Sequence, residues 1–231
     1  MPVIIGGVEP FTTVDFPERL AAVLFCSGCP LRCPYCHNPE LQNFKSEPFI
    51  TWERFVEFLI DRKKVLDGVV FSGGEPLAQP DLYESMKFVK DLGYEIGLHT
   101  SGVNVSRLEQ VLPLVSWVGF DVKTVFDAYE TRIPHSRRET VESCLDALIK
   151  SGVDFECRTT LDPRVISKSE LRSLARDLAN RGVKTYALQQ YRPHPSEKEP
   201  PESSDIVAFF TDRELLDDLR GLFKNFIIRR G

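Results

Sequence analysis

The sequence has no surplus of basic residues. Lys and Arg number 29 against 34 Asp and Glu, a net charge of −5. That argues against a general polyanion-binding surface, while leaving room for a local basic patch. Long apolar runs are also missing. The first twenty residues hold Asp15, Glu18 and Arg19, so neither a signal peptide nor a membrane span is expected. The cytosol is the expected compartment, where disulfides rarely persist. The glycine-lysine spacing of a phosphate loop is absent. So is any internal repeat. With 231 residues, one sizeable core is affordable and a second domain is not expected.

What is present is a rhythm. Six apolar runs read as buried strands: Ala22–Cys26, Gly68–Ser72, Tyr94–His99, Trp117–Asp121, Asp154–Thr159 and Lys184–Leu188. Segments of helical character separate them. One opens on Thr51 as a cap and puts Phe55, Phe58 and Leu59 on one face. Others stop at Gly93, Pro113, Gly152 and Gly182, just before the next strand-like run. Alternating strand and helix predicts an α/β fold with parallel strands. A closed eight-unit barrel typically needs about 250 residues, so an open partial barrel or a doubly wound sheet is expected. Two regions break the rhythm within this single 1–231 domain. Residues 1–19 read as an irregular N-terminal segment. Residues 192–231 read as a proline- and charge-rich loop followed by a last helix capped by Thr211.

Four of the six cysteines lie between Cys26 and Cys36. Cys29, Cys33 and Cys36 have the spacing C-x3-C-x2-C and follow the first strand-like run. In a parallel βα architecture, that places them at the C-terminal face, where sites form. Thiolates suit iron-sulfur clusters, zinc and copper(I). A structural zinc site wants four ligands. Cys26 alternates with Phe25 and reads as core, and His37 is awkwardly adjacent to Cys36. Three thiolates on an iron-sulfur cubane would leave one iron open. Cluster, zinc and free thiols all remain readings at this point.

This motif, with Tyr35 before its last cysteine, resembles the cluster motif of radical S-adenosylmethionine (SAM) enzymes. The longer stretch TVDFPERLAAVLFCSGCPLRCPYCHNP resembles the activating enzymes of glycyl-radical enzymes. It is most similar to the activating protein of anaerobic ribonucleoside-triphosphate reductase. The resemblance runs from Thr13 to about Tyr191. It implies a partial (β/α)6 barrel of the radical SAM type, which agrees with the six units counted above. It also implies that Cys29, Cys33 and Cys36 hold a 4Fe-4S cluster. The amino and carboxylate groups of SAM would then chelate the open iron.

Further site residues come by the same resemblance. Tyr35 would pack near the adenine. "GGEP", Gly73, Gly74, Glu75 and Pro76, would face the methionine amino group, with Glu75 tying the loop as the alternative. Thr100 and Asp121 would lie near the cofactor and help place a cation. His99 stands where several relatives have an acidic residue, so a cation site is not carried over unchanged. Lys123 would lie near the cofactor carboxylate or the substrate peptide, an ordinary ion pair with Asp121 being the alternative. Arg158 would contact carboxylate or ribose, and Gln189 or Gln190 would hydrogen-bond the cofactor, Gln190 being preferred. Cys144 and Cys157 read as core.

The implied reaction is reductive cleavage of SAM to methionine and a 5'-deoxyadenosyl radical. That radical takes the α-hydrogen of a glycine in a partner protein. No side chain is implicated as acid or base. The implied partner is a glycyl-radical enzyme, above all the large subunit of anaerobic ribonucleotide reductase. An electron donor such as flavodoxin or ferredoxin completes the system. Arg192 departs from formate-lyase activases, which carry a histidine after the comparable tyrosine. The segment "TTVDFPER" is either a partner contact or a lid over the barrel bottom. The rival readings are an activase of formate lyase or another glycyl-radical enzyme, a radical enzyme acting on a small molecule, as in deazaguanine biosynthesis, and a non-enzymatic metal-binding protein.

Overall fold

Alternating apolar residues in short runs build one eight-stranded sheet whose spatial order follows the sequence. The computed structural model describes residues 2–195 and 197–230. The strands are β1 Ile5–Thr12, β2 Ala21–Cys26, β3 Gly68–Gly73, β4 Glu95–Thr100, β5 Trp117–Asp121, β6 Asp154–Leu161, β7 Thr185–Gln190 and β8 Asn225–Arg229. β1 runs antiparallel to β2. Every later neighbouring pair is parallel. β1 and β8 do not pair with each other, so the sheet is an incompletely closed barrel. The helices are α1 Trp52–Arg62, α2 Leu82–Asp91, α3 Val105–Val111, α4 Tyr129–Arg132, α5 Arg138–Ser151, α6 Lys168–Asn180, α7 Ser203–Thr211 and α8 Arg213–Arg220. Among the described residues, no helix is long and apolar enough to cross a membrane.

Local signals set the helix ends. Thr51 Oγ1 accepts from Arg54 N at 3.3 Å. At α6, Ser167 Oγ accepts from Glu170 N while Glu170 accepts from Ser167 N at 2.9 Å, a reciprocal cap. Thr211 is not the cap of the last helix. It ends α7, and Asp212 caps α8 by accepting from Leu215 N at 3.0 Å.

The two faces of the sheet separate two cores. Ala22, Leu24, Val69, Phe71, Ile96, Leu98, Val118 and Phe120 pack outward in the main core, with the helices. Ala21, Val23, Val70 and Trp117 point into the barrel, where Phe16 joins them. Phe16 is 3% exposed and stacks on Trp117 with ring centroids 6.1 Å apart. Burying such a ring contributes about 1.5–3 kcal/mol. "TTVDFPER" therefore lids the bottom of the barrel. His99 fastens the same segment: its Nε2 lies 2.9 Å from Asp15 O, and its Nδ1 lies 3.3 Å from Ser72 Oγ.

Two expectations need correction. Residues 1–19 are not wholly irregular, because β1 spans Ile5–Thr12. Its pairing with β2 breaks register between Ile5 and Gly7 and between Glu9 and Thr12. Two glycines, a proline and those irregularities erase the alternation that would reveal a strand. Residues 192–231 hold more than a loop and one helix. They carry α7, α8 and the short edge strand β8. The six expected strands correspond to β2–β7.

Candidate active site

The loop after β2 carries the three cysteines and is stitched to the loop after β3. Gly74 N donates to Cys26 O at 2.8 Å, and Glu75 N donates to Gly28 O at 3.0 Å. This close approach explains the glycine pair. Gly73 has φ +106°, and a Cβ there would meet Cys26 N at 2.4 Å. A Cβ on Gly74 would meet Gly28 O at 2.5 Å. Both glycines are thus required by backbone-to-backbone packing within the chain.

Glu75 is 1% exposed and turns its carboxylate inward. It accepts from Leu77 N at 2.9 Å, Thr100 Oγ1 at 2.6 Å and Ser101 N at 2.8 Å. Burial pushes its pKa up, opposed by these three bonds. Thr100 Oγ1 also accepts from Gly102 N at 3.1 Å. Glu75 and Thr100 therefore clamp the ends of β3 and β4 together. Pro76 opens the turn that follows and is buried.

Cys29, Cys33 and Cys36 are half-buried free thiols, whereas Cys26, Cys144 and Cys157 are fully buried. Burial, with Glu75 adding to it, pushes the Cys29 thiol up to about 12. Burial raises Cys33 as well, and the Lys123 charge opposes the rise. Lys123 Nζ lies 5.8 Å from the Tyr35 ring centroid and 3.3 Å from Asp121 Oδ2. Burial works against the Lys123 charge, but Asp121 and Cys33 hold the ammonium protonated. Arg158 Nε donates to Asp121 Oδ1 at 2.8 Å, and its other arm reaches Gly119 O at 3.3 Å. Burial alone would raise the Asp121 carboxyl. Arg158 and Lys123 outweigh it and bring the group down to about 2. Two cations thus share one carboxylate beside the cysteine loop.

The structure brings Cys29, Cys33, Tyr35, Lys123, Asp121 and Arg158 together. Gln190 stands apart. It follows the outward alternation of Tyr186 and Leu188, and it borders a recess shared with Arg192 and Ile206. Gln189 is on the inward face. Sequence reasoning missed a second interior pair. Glu156, 1% exposed, binds Arg229 through both oxygens at 2.6 and 2.9 Å. The available signal was a charged residue two before Arg158 on the same strand face. His37 lies 6.1 Å from the Tyr191 ring, and burial followed by the Arg192 charge lowers its pKa.

The donor set fits an iron-sulfur cluster with a polar ligand beside it. Among the described residues, no three His, Cys, Asp or Glu side chains gather closely enough for a single metal ion. Three half-buried thiols on one loop are soft donors of the kind an iron-sulfur cluster takes. Among the described residues, the buried Tyr35 hydroxyl has no hydrogen-bond partner, and the Lys123 ammonium lies 5.8 Å from the centroid of its ring. An orphaned donor of this kind calls for a ligand atom.

Comparisons with known proteins identify the family. The family model for the radical SAM superfamily matches residues 23–178. A protein of Methanocaldococcus jannaschii bearing the provisional name glycyl-radical enzyme activating enzyme is 27% identical over 97% of this chain and 100% of its own length. The pyruvate formate-lyase-activating enzyme of Clostridium pasteurianum is 32% identical over 81% of each chain. In fold, the chain resembles Streptococcus suis SuiB bound to S-adenosylmethionine, with a TM-score of 0.71 at 14% identity. That match covers 90% of this chain and 49% of SuiB, so the chain spans about half of that structure. The chain belongs to the radical SAM superfamily, and within it to the glycyl-radical-enzyme activases.

Proposed function

We propose that this protein removes the α-hydrogen from one glycine of a partner glycyl-radical enzyme. The observation that carries the reading is the 32% identity to a formate-lyase activase over 81% of both chains. Cys29, Cys33 and Cys36 are the ligands of a 4Fe-4S cluster in this reading. The cluster and SAM, when bound, supply the one-electron cleavage and the hydrogen-abstracting radical.

The chain's own residues position and enclose. Lys123 and Arg158 offer two cations against one carboxylate, a surplus that suits the carboxylate of a bound amino acid group. Asp121 keeps Lys123 charged and holds both side chains in place. The Tyr35 hydroxyl supplies a hydrogen bond to the ligand. The Glu75–Thr100 clamp holds the Gly73–Pro76 loop against the cysteine loop, which fixes the geometry a single-site abstraction demands. Phe16 and Trp117 close the lower barrel with apolar surface and keep water from that side. No side chain is assigned as acid or base.

The relatives' names favour formate lyase over ribonucleotide reductase as the partner, and a flavodoxin- or ferredoxin-type donor is the fitting reductant. The test mixes anaerobically reconstituted, reduced protein and SAM with formate lyase or with the reductase large subunit, in parallel. Electron paramagnetic resonance reads the product. A glycyl radical on formate lyase is expected. A radical on the reductase alone reassigns the partner, and none on any glycyl-radical enzyme overturns the function.

A further inference from the structure

A cavity of about 310 Å³ opens beside the cysteine loop, and neither Asp121 nor Arg158 lines it. Leu31, Leu77 and Tyr129 supply apolar lining, while Arg107, Arg137 and Thr140 supply polar lining. Leu31 lies between Cys29 and Cys33, so an occupant touches the loop that bears the thiols. The cavity also reaches Ser101 and Gly102, which the Glu75–Thr100 clamp holds. It therefore joins both loops of the candidate active site from outside the barrel.

Its charge is unlike that of the chain. The protein carries −5 overall, yet the described lining includes two arginines and neither Asp nor Glu. Arg107 is fixed by donating to Leu77 O at 2.6 Å. Arg137 is exposed, and among the described residues its guanidinium has no ion-pair partner. A positive, half-apolar recess on an acidic protein selects a ligand by charge as well as by shape.

We propose that this cavity docks the partner's glycine-bearing segment, taking one apolar side chain of that segment with an acidic residue beside it. The inference rests on the activase reading and adds where, and by what chemistry, the partner is gripped. The size suits this occupant, since the volume is at the lower end for ligand pockets and holds one large side chain. The occupant's carboxylate pairs with Arg137, and its apolar group lies against Leu31 and Tyr129. Docking there presses on the cysteine loop, so it places the segment next to the cluster without entering the lower barrel.

The test is a titration of the cluster-loaded protein, with SAM, against the fluorescently labelled partner that the unmutated protein activates. Arg137→Glu is the first variant. Among the described residues it breaks no ion pair or side-chain hydrogen bond, and an acidic group at the start of α5 suits the helix. Thr140→Trp, which fills the cavity, is the second. Both are expected to bind the partner at least tenfold more weakly, with iron content and SAM cleavage in the partner's absence unchanged. Arg137→Lys should recover most of the affinity. Added salt should weaken the unmutated protein more than Arg137→Glu. Equal partner affinity in both variants and the unmutated protein overturns this docking site and leaves the activase function standing. Failure of the unmutated protein to bind or activate any glycyl-radical enzyme overturns both.

Discussion

Thr100 Oγ1 donates to Glu75 Oε1 at 2.6 Å, and both residues are buried. This bond joins the ends of β3 and β4 and makes Glu75 a structural anchor. Its carboxylate has three donors facing it, two of them backbone N–H groups. In Glu75→Gln, one oxygen becomes an NH2 that confronts at least one backbone N–H donor. A loss of about 2–3 kcal/mol is expected, measured by anaerobic urea denaturation. SAM affinity should fall with it, because the Gly73–Pro76 loop loosens. Unchanged stability would show that the clamp contributes nothing.

Asp121 is the shared counter-charge of Arg158 and Lys123. Asp121→Asn leaves two enclosed cations without an anion. The expected cost is about 2–3 kcal/mol, below that of a fully buried pair because the carboxylate is partly exposed. Arg158→Met alone should also destabilise. The double variant should cost less than the sum, and a double-mutant cycle measures that difference. Strict additivity would show that the pair is not coupled.

His99 gives the fold a pH dependence with a defined sign. Burial, reinforced by Arg158, lowers its imidazole to about 3 from the usual 6.5. The unfolded chain therefore takes up a proton that the folded chain refuses. Stability falls as pH drops from 6.5 toward 3, by up to about 1.4 kcal/mol per pH unit from this group. His99→Asn should flatten that part of the profile while lowering stability at neutral pH. Parallel profiles for the two proteins would contradict the assignment.

The two cysteine classes should separate cleanly. Replacing Cys29, Cys33 or Cys36 by Ala should abolish stable iron and sulfide after anaerobic reconstitution. Replacing Cys26, Cys144 or Cys157 by Ala should leave the iron content unchanged, because these thiols are enclosed in the core. Iron and sulfide analysis of the six variants decides it, and tightly bound zinc without sulfide would contradict the cluster.

How much of this was legible follows from how local each signal is. Strands β2–β7 are written as apolar runs with glycine- or proline-terminated helices between them, and all six appear. β1 and β8 are edge strands, with register breaks in one and only five residues in the other, so no periodic pattern announces them. The C-x3-C-x2-C spacing was readable because it is contiguous. The use made of Glu75 was readable only as one of two alternatives, tying its loop or facing the ligand, since its partners Thr100 and Ser101 lie at the end of the next strand and only the fold brings them close. Gln190 illustrates the same limit: a shift of one residue moves a strand side chain to the opposite face. The Glu156–Arg229 pair spans 73 positions, a separation at which the sequence carries no pairing signal.

The central claim is that hydrogen leaves a partner's glycine for the cofactor's adenosyl carbon. Its most direct measurement uses partner protein grown on α-deuterated glycine, mixed with reduced, cluster-loaded protein and unlabelled SAM. Mass spectrometry of the 5'-deoxyadenosine formed should show one deuterium, and the partner's radical should lack the proton doublet seen with ordinary glycine. Abundant 5'-deoxyadenosine without deuterium, alongside a partner that carries no radical, would contradict the account.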